Sequence, residues 1–261
     1  MKYKYIILLT DFGIEDNFVG VMKGVIYNIN HNVKIIDLTH NITSQNIFEA
    51  AFLLKHSYSY FPEKSIFLNV VDPGVGTDRK ILIAEIDKKL FIAPDNGLLT
   101  FIIDENKDNY KLYSLKNEFL KNLTSNISNT FHGRDIFAPT GAIISKGIKL
   151  LKISNRISTF KRINYPTYKF NNKKIIGEII YIDKFGNCIS NLPASLLNKF
   201  NKLNIKIKNI TINTLSNNYN IEKRIGAIIN SFNLLEIFSP SNSAANKFKI
   251  KIGDKIIINK I

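Results

Sequence analysis

Apolar residues in the first part of the chain fall in short unbroken runs: YKYIILL (3–9), VKIIDL (33–38), SIFLNVV (65–71), ILIAEI (81–86) and KLFIAP (89–94). Runs of this length, rich in Ile, Val and Leu, predict strands. Between the first three, residues 16–27 and 47–58 return apolar side chains at spacings of three and four, the period of a helix with one buried face. A further helix is predicted from 135 to about 146. Strand alternating with helix is the pattern of an α/β domain, a mostly parallel sheet covered by helices, here assigned to residues 1–162. FKRINYPTYKFNNKK (160–174) is polar, holds Pro166 and carries no acid, so 163–172 is placed as a linker. The pattern then changes to short β runs: IIGEIIYI, LNIKIKNITIN, AIINSF, LLEIFS and the hairpin-like KIKIGDKIIIN. These predict an all-β, barrel-like C-terminal domain over 173–261. No internal repeat appears at any fixed period.

Composition narrows the class. The 261 residues are 45% hydrophobic and 22% charged, which excludes a disordered or collagen-like chain. Cys188 is the single cysteine, so neither an internal disulfide nor a cysteine-cluster zinc site is available, and a reducing compartment is expected. The run from Ile6 to Leu9 is too short for a signal-peptide core, and nothing approaches the ~20 apolar residues of a spanning helix, so the expectation is a cytoplasmic protein without membrane attachment. Net charge is +15, unevenly spread: residues 1–150 hold 17 basic against 16 acidic side chains, and residues 151–261 hold 19 against 5. Such asymmetry points to an anionic partner. The lysines are nevertheless scattered among Asn and Ile without a nucleic-acid-binding motif, so nucleic acid is disfavoured as a partner.

Open α/β sheets bind ligands at the carboxyl ends of their strands, where the polar residues deserve inspection. LTDFGIEDN puts Asp11 directly after the first strand. Its carboxylate could grip a vicinal diol such as a ribose, or Thr10, Asp11 or Asp16 could simply cap the following helix. NVVDPGVGTDRK ends the third strand with Asp72, two glycines and Arg79; VDPG alone reads as a turn, but a turn needs no arginine. NTFHGRDIFAP brings Phe131, His132, Gly133, Arg134 and Asp135 to a helix start. His31, His40 and His56 read as structural. His40, His132 and Asp72 lack any recognisable metal-ligand spacing, so no metal is expected. In the second domain IIYIDKFGNCISN places Asp183 where it could pair with a substrate ammonium, or simply cap a turn and meet a lysine, with Phe185 offering a ring face and Asn187 an amide. Hydroxyl-rich turns at Asn230, Ser231, Ser239 and Ser241 decide nothing by themselves.

Taken together, LTDFG-x-x-D (11–16), DLTHNI (37–42), VVDPGVGTDR (70–79), APDNGLL (93–99), FHGRDIFAP (131–139), IDKFGN (182–187) and NS-x-x-x-LEI (230–237) resemble the S-adenosyl-L-methionine hydroxide adenosyltransferases, relatives of the adenosyl fluorinases and chlorinases. The resemblance covers nearly the whole chain. It implies an N-terminal α/β domain, a C-terminal β-barrel completing the substrate site, and a homotrimer with each substrate at a contact between neighbouring subunits. It makes Asp72, Arg79 and His132 the triad that holds the attacking water, Asp11 the grip on the ribose diol, and Asp183 with Ser231 the hold on the methionine amino acid. Phe131, Phe185 and Asn187 would line the adenosine pocket, with Gly133 among the substrate-contacting positions and backbone near Ser241 reading adenine. Two departures stand out: Asn233 occupies a usual glycine position, and SPSNSAAN replaces a more hydrophobic stretch.

The implied reaction is in-line displacement at C5′: water enters, methionine leaves and adenosine forms, with S-adenosyl-L-methionine as substrate and no cofactor. A neutral thioether leaves, so the difficulty lies in the water, whose pKa in bulk is about 15.7. A guanidinium can stabilise developing hydroxide, an imidazole can accept or relay the proton, and a carboxylate can orient both. The alternatives are a halogenase using chloride, ranked second because Gly133 supplies no hydroxyl after His132, and a non-catalytic basic module binding nucleic acid or other anions.

Overall fold

The structure is a computed structural model that describes residues 2–124, 126–171, 174–197, 203–220 and 224–260. The chain divides into two compact units, Met1–Ile163 and Asn164–Ile261. Residues 172 and 173, where the sequence reading ends its linker and begins its barrel, lie outside the described residues.

The first unit runs β1 (Tyr5–Thr10), α1 (Phe18–Ile29), β2 (Lys34–Thr39), α2 (Ile47–Ser57), β3 (Ser65–Val70), β4 (Ile81–Ile86), β5 (Lys89–Pro94), α3 (Thr100–Glu105), β6 (Tyr110–Leu115), α4 (Asn117–Lys121), α5 (Ala138–Ser145), α6 (Leu150–Ile153) and β7 (Ser154–Ile157). Its strands form one mixed sheet in the order β2-β1-β3-β5-β4-β6-β7. Pairing is parallel from β2 to β5 and antiparallel from β5 to β7, so β1, β2, β3, β5 and β6 point the same way. The antiparallel part begins with a two-residue hairpin turn, Asp87-Lys88, in which both residues have positive φ, 48° and 56°. Turns of that hand match the strand twist, but neither residue is one that announces it in sequence.

Alternate strand residues bury on opposite faces, as period two requires. Ile6, Leu8, Ile66, Leu68 and Ile92 pack with Met22 and Ile26 of α1 and Ala142 of α5. Ile7, Leu9, Phe67 and Phe91 pack with Ala50 and Leu54 of α2 and Ile102 of α3. Each large apolar side chain among these, removed from water, contributes about 1.5–3 kcal/mol. The helix expected from 135 is more finely divided: a π-helical turn, Gly133–Phe137, precedes α5.

The second unit holds β8 (Lys169–Phe170), β9 (Lys174–Ile182), β10 (Cys188–Pro193), α7 (Ala194–Leu197), β11 (Leu203–Ile207), β12 (Ile210–Ile212), β13 (Gly226–Ile229), β14 (Leu234–Phe238), α8 (Ala244–Phe248) and β15 (Lys255–Lys260). All pairings are antiparallel, in the order β12-β11-β15-β9-β10-β14-β13, with β8 added on β9. Just beyond β12, Leu215 bridges Ala227 of β13, so the sheet nearly closes into a barrel around Ile175, Leu192, Ile205, Leu235 and Ile256. KIKIGDKIIIN does not form the expected hairpin. Its first half ends α8, with Lys249 left-handed and the Ile250 N–H donating to the Ala245 carbonyl, and only its second half is a strand. Among the described residues no helix is long and apolar enough to cross a membrane.

Candidate active site

In the first unit, β1 and β3 are parallel neighbours with Thr10 opposite Val70, so Asp11 and Asp72 emerge at the same carboxyl edge. After Asp72 the chain makes a tight loop in which Asp72 Oδ1 accepts from the Gly74 N–H at 3.2 Å and the Gly74 carbonyl accepts from the Thr77 hydroxyl at 2.7 Å. Gly76 has φ +81°, and a Cβ there would run into the Asn129 carbonyl. Only glycine allows this approach, which draws the loop against the segment carrying Phe131 and His132.

The sequence-distant triad converges. Arg79 Nε lies 2.7 and 2.6 Å from the two Asp72 carboxylate oxygens, and a terminal guanidinium nitrogen also donates to Oδ2. That terminal nitrogen lies 2.9 Å from His132 Nδ1. The Asp72 and Arg79 side chains are each only 5% exposed, and His132 is buried. Burial, then the adjacent Arg79 charge, push the His132 pKa below its ordinary value, while Asp72 and Asp135 oppose this. The imidazole is therefore neutral at neutral pH. Because a guanidinium only donates, Nδ1 accepts and the ring proton sits on Nε2.

Asp72 and His132 open on a cavity of about 280 Å³ that Asp11, Phe131 and Gly133 also line. Asp11 Oδ2 accepts from the Gln45 N–H at 2.8 Å, and its Oδ1 takes no hydrogen bond among the described residues. The sequence reading missed the rest of the wall, including Phe12, Phe18, Gln45 and Thr130. Phe12 and Phe18 pack on Phe131 with centroids 5.9 and 5.1 Å away, a contact between segments more than a hundred residues apart. A Cβ on Gly133 would lie 2.9 Å from Phe131 Cε2 and 3.2 Å from Met22 Sδ, so a side chain there would have to push the Phe131 ring aside. His40 is buried as a structural residue: Nδ1 lies 2.8 Å from Thr10 Oγ1, Nε2 lies 3.1 Å from Asp37 Oδ1, and its carbonyl accepts from the Gly13 N–H at 2.8 Å. Among the described residues no group of three or more His, Cys, Asp or Glu side chains is placed to hold a metal ion.

In the second unit Asp183, Phe185, Asn187 and Ser241 line a separate cavity of about 560 Å³ together with Tyr219 and Ser239. Asp183 organises the turn beneath it, its Oδ1 accepting from the Phe185 and Asn187 N–H groups at 2.9 and 2.8 Å and its Oδ2 from the Asn187 amide at 3.0 Å. Phe185 is 75% exposed. Ser231 is exposed in the turn between β13 and β14 and does not line this cavity. Asn233 in that turn has φ 58°, a left-handed conformation that Asn tolerates better than most residues, so it can stand in for glycine. Tyr219, which the Asn-rich loop gave no reason to single out, donates to the buried Glu236 at 3.0 Å. Burial raises the Glu236 pKa, against the hydrogen bonds from Asn230 and Tyr219.

With this geometry in view, the sequence matches the SAM hydroxide adenosyltransferase N-terminal domain over residues 6–154 and the C-terminal domain over 177–257. The chain belongs to the SAM hydroxide adenosyltransferase family. A Methanocaldococcus jannaschii member named (R)-S-adenosyl-L-methionine hydrolase is 30% identical, the match covering 97% of this chain and 95% of that one. A fluorinase from an Actinoplanes species is 25% identical over 74% of this chain and 73% of its own. The crystal structure of an uncharacterized conserved protein from Thermotoga maritima superposes with a TM-score of 0.88 at 32% identity, covering 98% of this chain and all of that one.

Proposed function

We propose that this chain hydrolyses S-adenosyl-L-methionine to adenosine and L-methionine, with water attacking C5′ in line with the departing sulfur. The observation that carries this reading is that Asp72 and His132, bridged by Arg79 behind them, line the cavity that Asp11 shares, in a chain 30% identical to a protein named for that activity. Asp11 takes the ribose diol. Phe12, Phe18 and Phe131 give the reacting centre a weakly polar wall, which favours a step in which an electron-rich oxygen meets a sulfonium and charge disappears. The second cavity's Asp183, Phe185 and Asn187 suit the ammonium and adenine of the same substrate, and a homotrimer with sites at subunit contacts is part of the proposal.

The hydrogen bond between Arg79 and His132 supports a reading in which the imidazole holds the water as a donor. For His132 to take the proton from water it would need a free ring nitrogen, and Nδ1 is occupied by Arg79. His132 instead donates Nε2–H to the water oxygen, and Arg79 supplies positive charge beside it. Asp72 grips Arg79 through both carboxylate oxygens and so orients the guanidinium and the imidazole, and the proton lost by the water passes to solvent as the C–O bond forms.

Chloride as nucleophile is the weaker reading, since Gly133 offers no hydroxyl to hold a halide. Incubating the purified protein with S-adenosyl-L-methionine, with and without chloride and with and without excess chelator, and chromatographing the nucleosides tests all of this. Adenosine in every arm is expected. A chlorinated nucleoside would favour the halogenase, and chelator-sensitive activity restored by a divalent ion would reject the metal-free route. No nucleoside product with salt-sensitive retention on nucleic acid would favour a basic binding module.

A further inference from the structure

The APDNGLL segment has no role in the chemistry above, yet it holds both ends of the loop that carries Asp72 and Arg79. The β3–β5 ladder pairs Ile66 with Leu90, Phe67 with Phe91 and Leu68 with Ile92, and goes no further. Pro94 has no N–H with which to extend it. Side-chain amides bridge the strands beyond that point. Buried Asn69 donates to the Ile92 carbonyl at 3.2 Å, and Asn96 donates through Nδ2 to the Val71 carbonyl at 2.8 Å. Val71 immediately precedes Asp72. At the other end the Asp95 N–H donates to the Lys80 carbonyl at 2.9 Å, and Lys80 immediately follows Arg79.

The turn that makes these contacts is itself fixed. Asn96 Oδ1 accepts from the Leu98 N–H at 3.2 Å, and Asp95 Oδ1 accepts from the Lys161 N–H at 2.7 Å. Gly97 adopts φ +102° with a virtual Cβ only 2.6 Å from Ile163 Cγ2, so the backbone is closely packed there.

We propose that Asn96 is a positioning residue for the hydrolysis: its amide sets the Val71 peptide, thereby the Asp72 carboxylate, and through Asp72 the reach of Arg79 to His132. The proposal rests on the hydrolase reading for its kinetic consequence, and on geometry alone for its effect on Arg79. An uncharged amide is suited to this post, because it ties down the strand end without adding a charge beside the Asp72–Arg79 pair.

Two substitutions separate the clamp from the turn. Asn96→Asp keeps an acceptor for the Leu98 N–H but sets oxygen against the Val71 carbonyl, whereas Asn96→Ala removes both bonds without adding charge. In both, kcat should fall about 10- to 100-fold, since misplacement by about 1 Å costs that much, while KM for S-adenosyl-L-methionine stays within about threefold. Independently of turnover, the His132 imidazole titration followed by NMR should move upward in both variants as Arg79 withdraws. The charged groups facing that ring are Asp72, Arg79 and Asp135, and the alanine variant shows that the movement does not come from a new carboxylate. Folded variants that melt earlier but keep wild-type kcat and His132 titration would overturn the proposal. Should the wild-type protein release no adenosine, the hydrolase reading fails by itself, and the NMR titration still decides whether Asn96 places Arg79.

Discussion

Arg79→Lys tests whether the fork of the guanidinium, rather than its charge, is what the site uses. Arg79 binds Asp72 through Nε and a terminal nitrogen while the same terminal nitrogen reaches His132 Nδ1 at 2.9 Å. A lysine ammonium is a single point on a flexible stem and cannot reproduce that planar double contact. Its positive charge still neutralises the buried Asp72, so the variant should escape most of the about 3–5 kcal/mol that removing one partner of a buried ion pair costs. Arg79→Ala should suffer that loss in full. Losing the oriented donor should nonetheless cost Arg79→Lys about 100- to 1,000-fold in kcat, or about 2.7–4 kcal/mol of transition-state stabilisation. Steady-state adenosine release, with urea unfolding of both variants, measures each quantity. A lysine variant that turns over at the wild-type rate would show that the Asp72–Arg79–His132 geometry is not what activates the water.

Asp11→Ala removes a carboxylate from the cavity wall rather than from the water site, so KM should rise about 10-fold or more with kcat much less affected, as kinetics with a series of substrate concentrations will establish. Because burial and Arg79 lower the His132 pKa, activity should rise with pH as the ring loses its proton, with a midpoint below 6.5 and no further gain above neutrality; a midpoint above 6.5 in the pH–rate profile contradicts the neutral imidazole. Burial pushes His56 down to about 4 from 6.5, so the folded state binds its proton less readily than the unfolded chain. Stability should therefore be complete above pH 6.5 and decline as pH falls toward 4, by about 3 kcal/mol at most, a dependence that denaturant titrations should find flattened in His56→Phe. Gly186→Ala should destabilise the second unit and disturb its cavity, since Gly186 has φ +81° and a Cβ there would overlap Ser243; an unchanged melting temperature would speak against that packing.

The central strands β1, β3 and β5 and the helices on either side were legible because they are buried on two faces or one, and burial writes itself into sequence as unbroken or periodic apolar runs. The predicted strands at 65–71, 81–86 and 89–94 match β3, β4 and β5 within a residue. What the runs do not carry is strand direction. The β4–β5 hairpin turns on Asp87 and Lys88, two charged residues whose positive φ is imposed by the ladder on either side. KIKIGDKIIIN failed as a hairpin for a related reason: alternating Lys and Ile fit a strand, but the end of α8 claims the first half through backbone hydrogen bonds.

Residue types after the strands and at a helix start drew attention to Asp11, Asp72, Arg79 and His132, but a cap or a turn explained the carboxylates equally well, and only the family resemblance joined the four into one site. The sequence by itself determined which groups this protein has to work with. Only the tertiary structure decided that Nδ1 of His132 faces Arg79, that rings from residues 12, 18 and 131 meet, and that Asn96 reaches the Val71 carbonyl. Those are distances between segments far apart along the chain, and a one-dimensional pattern contains no term for them until packing brings the segments together.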